Sequence, residues 1–213
     1  MCGIAGLIHK GKSVNIGSEL QSMLQALKHR GPDSTGFALY ADNDGQNFIM
    51  RFKVGENVAE GSSSANEDES VYDSRKKLVD KNLAKLGAII VKEEKLTPYS
   101  FRYEIKYDKD LMEFSKTIES SEMVEILSIG KSLELIKDLG DAKAVSERYG
   151  LSKVVGTHGI GHARMATESG VDIKSAHPFW GYPFSDVSVV HNGQLTNYWN
   201  NRRALENLSL IHI

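Results

Sequence analysis

The sequence predicts an α+β fold in which one core domain is interrupted by an inserted lobe. The 213 residues, of which 40% are hydrophobic, suffice for a single sizeable core. Apolar residues recur at helical spacing in some stretches and alternate with polar residues in others, so both helices and half-buried strands are expected. A polar stretch rich in Gly, Glu, Asn and Ser separates the early patterns from the later ones. We therefore expect one domain over 1–213, with its core at 2–54 and 154–207 and the lobe at about 55–153.

The net charge and the cysteine content limit which partners and which cellular compartment are expected. A net charge of −2 and a pI near 6.4 give no basic field, so neither nucleic acid nor an anionic membrane is expected as a partner. Cys2 is the only cysteine, which rules out an internal disulfide, and no cationic and apolar leader is present. No run approaches the roughly 18 apolar residues of a membrane span. We expect a cytoplasmic protein.

The first 54 residues predict three strands and a helix. Residues 2–8 combine small and branched apolar side chains, as in a buried strand, and residues 16–27 carry apolar side chains at helical spacing. The loop 29–36 is dense in turn-forming and polar residues. Strands at 37–40 and 48–52 flank an Asp-Asn-Asp-Gly turn, which predicts a hairpin.

The inserted lobe is expected to be an α+β unit of its own, and no recognisable chemistry lies in it. Its charged residues are most simply a solvated surface. The predicted elements are a helix at 71–83, strands at 88–91 and 101–107, a helix at 111–118, a strand at 124–129 and helical segments through Tyr149.

The core pattern resumes at 154–167 with a strand whose two faces carry mostly small and apolar residues. Arg164 projects from this strand, and a buried guanidinium is costly unless it meets an anion. A strand at 187–190 and a helix starting near Asn197 follow. The apolar ending without a closing strand predicts a C-terminally truncated chain, with 208–213 as candidate foreign residues.

Cys2 directly follows the initiator methionine, and this position is chemically special. Removal of Met1 leaves a thiol and a free α-amine on one residue. An α-amine with a pKa of about 7.7 can accept the thiol proton, so nucleophile and general base come together. The alternative is that Cys2 is a small buried hydrophobe.

Four blocks in a fixed order carry a resemblance to a known family. They are Cys2-Gly3-Ile4, Arg30-Gly31-Pro32-Asp33-Ser34-Thr35-Gly36, Gly161-His162-Ala163-Arg164-Met165-Ala166-Thr167 and His191-Asn192-Gly193. Together they resemble the class II, or N-terminal nucleophile, glutamine amidotransferase domain of glutamate synthase, glucosamine-phosphate synthase, amidophosphoribosyltransferase and asparagine synthetase. The long insertion looks most like the stand-alone amidotransferase subunits of glutamate-synthase-like systems, including N-methylglutamate synthase.

The resemblance implies a four-layer αββα N-terminal nucleophile hydrolase sandwich that splits L-glutamine into glutamate and ammonia. It makes Cys2 the nucleophile and its freed α-amine the base. It places the side chain of Asn192 and the backbone N–H of Gly193 in the oxyanion hole. Two such donors suit the negative charge of a tetrahedral intermediate, because one preorganised donor is worth about 3–4 kcal/mol.

The resemblance also implies the residues that bind glutamine. Arg164 pairs with the α-carboxylate, which a planar guanidinium recognises better than an ammonium does. Thr167 is close enough in sequence to help bind the same carboxylate. Arg30 and Asp33 hold the loop near the nucleophile. The family also binds the α-ammonium with an acidic residue beyond the Asn-Gly block, and this chain ends before a convincing match. Met165 stands where some relatives have an aromatic residue.

Other interpretations remain open at this point. Four histidines, at 158, 162, 177 and 191, suggest a metal site, but no cysteine joins them and the acidic residues are irregularly spaced, so neither a metal nor a cofactor is predicted. The same nucleophile could act on another amide, and a silent regulatory subunit could keep the fold. Because 213 residues leave no room for a synthase-sized domain, we expect a separate synthase subunit to accept the ammonia.

Overall fold

A computed structural model of the chain describes residues 2–56, 67–121, 123–165, 173–193 and 196–208. Within these ranges, no helix is both long and apolar enough to cross a membrane. In chain order, the elements are β1 (Gly3–Ile8), α1 (Ile16–Ala26), a 3-10 turn (Lys28–Arg30), β2 (Ser34–Ala41), β3 (Phe48–Lys53), α2 (Glu69–Leu86), β4 (Ile89–Thr97), β5 (Ser100–Lys106), α3 (Leu111–Glu119), β6 (Glu125–Gly130), β7 (Leu133–Leu139), α4 (Ala142–Tyr149), a second 3-10 turn (Leu151–Lys153), β8 (Gly156–Arg164), β9 (Phe179–Trp180), β10 (Ser188–Val189) and α5 (Tyr198–Asn207).

The strands form two four-stranded antiparallel sheets. The first sheet has the order β1-β8-β2-β7, and the second has the order β4-β5-β3-β6. Strands β9 and β10 form a separate short pair. Because β1 pairs only with β8 among the described strands, the start of the chain is fixed to a strand that lies far along the sequence.

Helices cover both sheets. Buried side chains of α1 and α4 pack with residues of the first sheet, among them Leu20, Leu24 and Phe37. Helices α2 and α3 pack in the same way on the second sheet, and a smaller apolar cluster joins Leu127 of the second sheet to Leu135 of the first. This arrangement is mixed α and β and is compatible with the predicted α+β sandwich.

The predicted N-terminal elements form, but their pairing differs from the expectation. Helix α1 begins behind Asn15, whose side chain accepts a hydrogen bond from the backbone N–H of Ser18, as a helix cap does. The predicted hairpin of residues 37–40 and 48–52 is wrong, because β2 and β3 lie in different sheets. Strand β2 is paired with β8 on one edge and with β7 on the other, so it has no free edge for β3.

The strands described between residues 67 and 153 are divided between the two sheets. The predicted helical segment after residue 130 is instead strand β7, which pairs with β2 in the first sheet. Strands β4, β5 and β6 join β3 in the second sheet. The charged residues of β7 misled the sequence interpretation, because they are buried and not on a solvated surface. The helices predicted at 71–83 and 111–118 are confirmed as α2 and α3.

A buried carboxylate in β7 connects the two sheets. Glu134 is 4% exposed and accepts hydrogen bonds from Arg51 of β3, at 2.8 Å, and from Arg102 of β5, at 2.9 Å to each oxygen. Burial alone raises the pKa of this carboxyl, but the two guanidinium groups outweigh burial and lower it to about 2. The Glu134 carboxylate is therefore charged at neutral pH, and the two guanidinium groups compensate its charge.

We predict that Glu134→Gln destabilises the fold by about 3–5 kcal/mol at pH 7, because removing one partner of a buried ion pair leaves uncompensated charge. The folded-state pKa lies below that of an unfolded glutamate. The wild-type contribution is therefore present above about pH 4.3 and is lost as the pH falls toward 2. Urea unfolding at pH 7 and pH 3 measures both effects. Glu147→Gln is the control, because Glu147 is an exposed residue of α4; an equal loss in the control would contradict the prediction.

Candidate active site

Cys2 lies at one end of the first sheet, directly before β1. Its thiol is partly buried and donates to the backbone carbonyl oxygen of Met165, with 3.9 Å between sulfur and oxygen. In the β1–β8 register, Gly3 lies opposite Ala163. The thiol therefore reaches the residues that immediately follow β8, and the end of β8 sets its surroundings.

Arg164 is the last residue of β8 and is 7% exposed. It lies opposite Ser34 of β2, and the two residues share one face of the sheet. The backbone N–H of Asp33 donates to the carbonyl oxygen of Arg164 at 3.2 Å. The register thus brings Arg164 and the start of β2 to the same sheet end as Cys2.

Asn192 reaches the nucleophile candidate from the C-terminal part of the chain. Its side-chain Nδ2 donates to the backbone carbonyl oxygen of Cys2 at 2.9 Å, across 190 residues of sequence. Gly193 follows Asn192 directly in the chain. Cys2, Asp33, Arg164 and Asn192, which the sequence places far apart, are therefore linked by contacts at one end of the fold.

The loop before β2 lies directly on β8. A Cβ atom on Gly31 would come within 2.4 Å of the Ala163 backbone, so only glycine allows this approach. Ser34 is the first residue of β2. Its hydroxyl is buried and has no hydrogen-bond partner within the described ranges. Ser34 belongs to the same sequence block as Asp33, but no local pattern marks it as a site residue.

Two other predicted site residues are not linked to this group. Arg30 ends the 3-10 turn and is exposed, and in the described part of the chain its side chain makes no hydrogen bond or ion pair. Backbone hydrogen bonds of Arg30, Gly31 and Asp33 hold the loop. Thr167 lies outside the described residues.

Two histidines lie beside Arg164 and are held neutral. The rings of His162 and His177 are 5.0 Å apart, and His162 is 1% exposed. Burial, followed by the nearby His177 and Arg164, lowers the pKa of His162 to about 4. Burial and the nearby Lys137 also lower the pKa of His177. Both imidazoles are therefore neutral at pH 7, and Arg164 supplies the positive charge.

The histidines do not gather into a metal centre. His158 stacks on Tyr40, with ring centroids 4.0 Å apart, and its Nδ1 shares a hydrogen bond with Thr157. Across the ranges that the structure describes, no group of three or more His, Cys, Asp or Glu residues is placed to hold a metal ion.

A separate cavity of about 500 Å³ opens between the start of α2, the β4–β5 turn and α4. Tyr72, Thr97, Tyr99 and Arg148 are among the described residues that line it. None of the predicted site residues contributes to its described lining, so it is distinct from the group around Cys2.

Comparison with known proteins supports the resemblance that the four blocks suggest. No family model matches the chain. The chain is 37% identical over 97% of its length to a protein of Methanothermobacter thermautotrophicus that is named as an inferred glutamine amidotransferase. It is 33% identical over 96% of its length to the glutamine amidotransferase-like protein GlxB of Rhizobium meliloti. A shorter match, 37% identical over 75 residues, is to the chloroplastic amidophosphoribosyltransferase of Glycine max.

These relatives are longer than the chain. It spans 65% of the length of the Methanothermobacter protein and 62% of the length of GlxB. The similarity to these two proteins, which are named as a glutamine amidotransferase and as glutamine amidotransferase-like, extends over nearly the whole of this chain. Together, the comparisons support a class II glutamine amidotransferase.

Proposed function

We propose that this protein hydrolyses the side-chain amide of L-glutamine through Cys2 after Met1 has been removed. One observation carries the proposal: the side-chain amide of Asn192 lies 2.9 Å from the carbonyl oxygen of Cys2, at the sheet end where Arg164 is buried. A nucleophile, an amide donor and a carboxylate-binding cation are the groups that this reaction needs. The similarity to proteins named as glutamine amidotransferases supports the choice of substrate.

In the proposed first half-reaction, the α-amine of Cys2 takes the thiol proton and the sulfur attacks the amide carbon of glutamine. The negative charge moves to the amide oxygen, which accepts hydrogen bonds from the Asn192 side chain and the Gly193 N–H. An asparagine amide carries two N–H groups, so Nδ2 of Asn192 can hold the Cys2 carbonyl and still donate to the oxyanion. The intermediate collapses when the α-ammonium returns its proton to the leaving nitrogen, which departs as ammonia.

In the second half-reaction, water attacks the γ-glutamyl thioester at Cys2. The α-amine accepts a proton from this water, and the same two donors hold the second oxyanion. Glutamate leaves and the thiol is restored, so one glutamine and one water yield one glutamate and one ammonia.

We assign the binding of the substrate α-carboxylate to Arg164, with Thr167 as a further contact, and the shaping of the loop to Arg30 and Asp33. The neutral state of His162 and His177 supports this assignment, because it leaves Arg164 as the cation that faces the carboxylate. A planar guanidinium can bind a carboxylate through two parallel hydrogen bonds.

The ammonia is proposed to pass to a partner synthase, as in glutamate-synthase-like and N-methylglutamate synthase systems. Ammonia released into water at neutral pH becomes mostly protonated and loses its nucleophilicity. Direct transfer to an acceptor site preserves the reactive form. Glutamate formation without a partner, compared with formation in its presence, measures how strongly the two activities are coupled.

The N-terminal position of Cys2 is tested by two variants. Cys2→Ala is expected to fold and to release no glutamate. A protein that keeps one additional residue before Cys2 retains the thiol but lacks the free α-amine, and we expect a loss of about 10²–10⁴-fold, the usual contribution of general base catalysis. Intact-mass measurement confirms the N-terminus of each sample. Full activity of the extended protein would rule out the α-amine as the base.

The oxyanion role of Asn192 predicts a loss in turnover. Asn192→Ala is expected to lower kcat by about 10²–10³-fold, while KM for glutamine changes less than about threefold. Asn82→Ala is the matched control, because Asn82 also donates from Nδ2 to a backbone carbonyl, that of Thr117 at 3.3 Å, but joins α2 to α3 on the second sheet. If KM rises and kcat is preserved in the Asn192 variant, the assignment is wrong.

The role of Arg164 predicts a substrate-dependent effect. Arg164→Lys is expected to lower kcat/KM for glutamine by about tenfold or more, because an ammonium cannot form the paired contact. With 4-aminobutyramide, which lacks the α-carboxylate, the variant and the wild type should differ by less than about twofold. An equal loss on both amides would indicate disrupted packing and not the loss of carboxylate recognition.

A further inference from the structure

Asp186 binds the turn that joins β6 to β7. Its Oδ1 accepts from the backbone N–H of Ser132 and of Leu133, each at 2.8 Å, and from the Ser132 hydroxyl at 3.0 Å. Its Oδ2 accepts from the backbone N–H of Lys131 at 3.0 Å. One carboxylate thus binds three consecutive backbone N–H groups that lie more than 50 residues away in the sequence.

The site is shaped for a charged carboxylate. Burial alone raises the pKa of Asp186, but the hydrogen bonds from Leu133, Ser132 and Lys131 outweigh it and hold the pKa below its usual value. Gly130 adjoins the turn, and a Cβ atom there would lie 2.5 Å from Oδ1 of Asp186. The turn therefore leaves just enough space for this side chain.

The backbone of Asp186 is also unusual. Its φ of 59° lies in the left-handed region, which residues other than glycine adopt at a cost and which aspartate tolerates better than most. Such a conformation persists when surrounding contacts hold it. The four hydrogen bonds to the carboxylate are such contacts, and the backbone N–H of Gly181, which donates to the carbonyl oxygen of Val187 at 2.8 Å, holds the next residue.

The chain that leaves Asp186 leads directly to the active-site group. Ser188 of β10 pairs with Trp180, and its hydroxyl lies 3.0 Å from the Tyr40 hydroxyl of β2. Four residues later, Asn192 contacts the Cys2 carbonyl. The segment 186–192 is therefore fixed to the β6–β7 turn at its start, to β2 in its middle and to Cys2 at its end.

We infer that Asp186 is a positioning residue for Asn192 and Gly193: its attachment to the β6–β7 turn sets the path of the strand that carries the two oxyanion donors to Cys2. The inference rests on the proposed function for its catalytic consequence, but the structural link can be measured without activity. We call the contact between Asp186 and the backbone N–H groups of residues 131–133 the anchor. Through this contact, the segment 123–139 also has a role in the site.

Two variants act on the anchor from opposite sides. Asp186→Asn keeps the shape but removes the charge and replaces one acceptor oxygen by an N–H₂ group that faces backbone donors. Gly130→Ala leaves Asp186 intact and places a methyl group against its Oδ1. Asp68→Asn is the matched control, because the Asp68 carboxylate also accepts from a backbone N–H, that of Ser70 at 3.1 Å, at the exposed start of α2.

The first readout is hydrogen exchange of backbone amides in the full chain. We expect exchange over 187–193 to rise by about fivefold or more in both anchor variants and to stay unchanged in the control. A rise confined to 131–133 and 186, with protection at 187–193 preserved, would overturn the inference whether or not the protein hydrolyses glutamine.

The second readout is the division between kcat and KM. Both anchor variants are expected to lower kcat about tenfold, with KM for glutamine and the rate of Cys2 alkylation by iodoacetamide within about twofold of wild type. The double variant should be less damaging than the product of the two single effects, since both act on one contact. If both anchor variants lose kcat/KM only because KM rises, with kcat unchanged, the positioning role is overturned. If wild-type protein hydrolyses no glutamine, the proposed function fails and the exchange result decides the inference.

Discussion

The antiparallel pairing of β8 with both β1 and β2 is the constraint on which the site depends. Side chains alternate between the two faces of a strand. If β8 shifted by one residue against its neighbours, Arg164 would therefore lie on the opposite face of the sheet. The same pairing brings Cys2 to the residues after β8 and sets Ser34 across from Arg164. A shift of β8 against either neighbour would separate the thiol from the buried cation.

Charge is distributed inside this fold so that most buried ions are compensated locally. Glu134 is held between two arginines, and Lys137 lies against Glu125 at 3.3 Å, although burial lowers the pKa of the lysine. The histidines beside Arg164, His162 and His177, are neutral at pH 7. Neither imidazole therefore adds a positive charge next to the Arg164 guanidinium.

The sequence indicates candidate site residues more directly than it indicates which strands pair. Cys2, Arg164 and Asn192 belong to short ordered blocks, and the structure brings these three residues together. Strand pairing is a different problem, because local periodicity does not tell which strands become neighbours. The turn after β2 has hairpin chemistry, yet the chain crosses there from one sheet to the other. Strand β7 was missed because Glu134 and Lys137 resemble the polar face of a helix, whereas each is buried with a partner from the other sheet. The link from Asp186 to residues 131–133 has no local signal at all.

The position of β1 in the first sheet has a consequence for the newly made chain. Its hydrogen-bonding partner is β8, which lies about 150 residues later. At a ribosomal rate of 5–20 residues per second, β1 therefore waits roughly 8–30 s before its partner is synthesised. During that interval β1 lacks the strand with which it pairs, so it cannot yet take its place in the first sheet. The surroundings of Cys2 therefore form only after β8 has been synthesised.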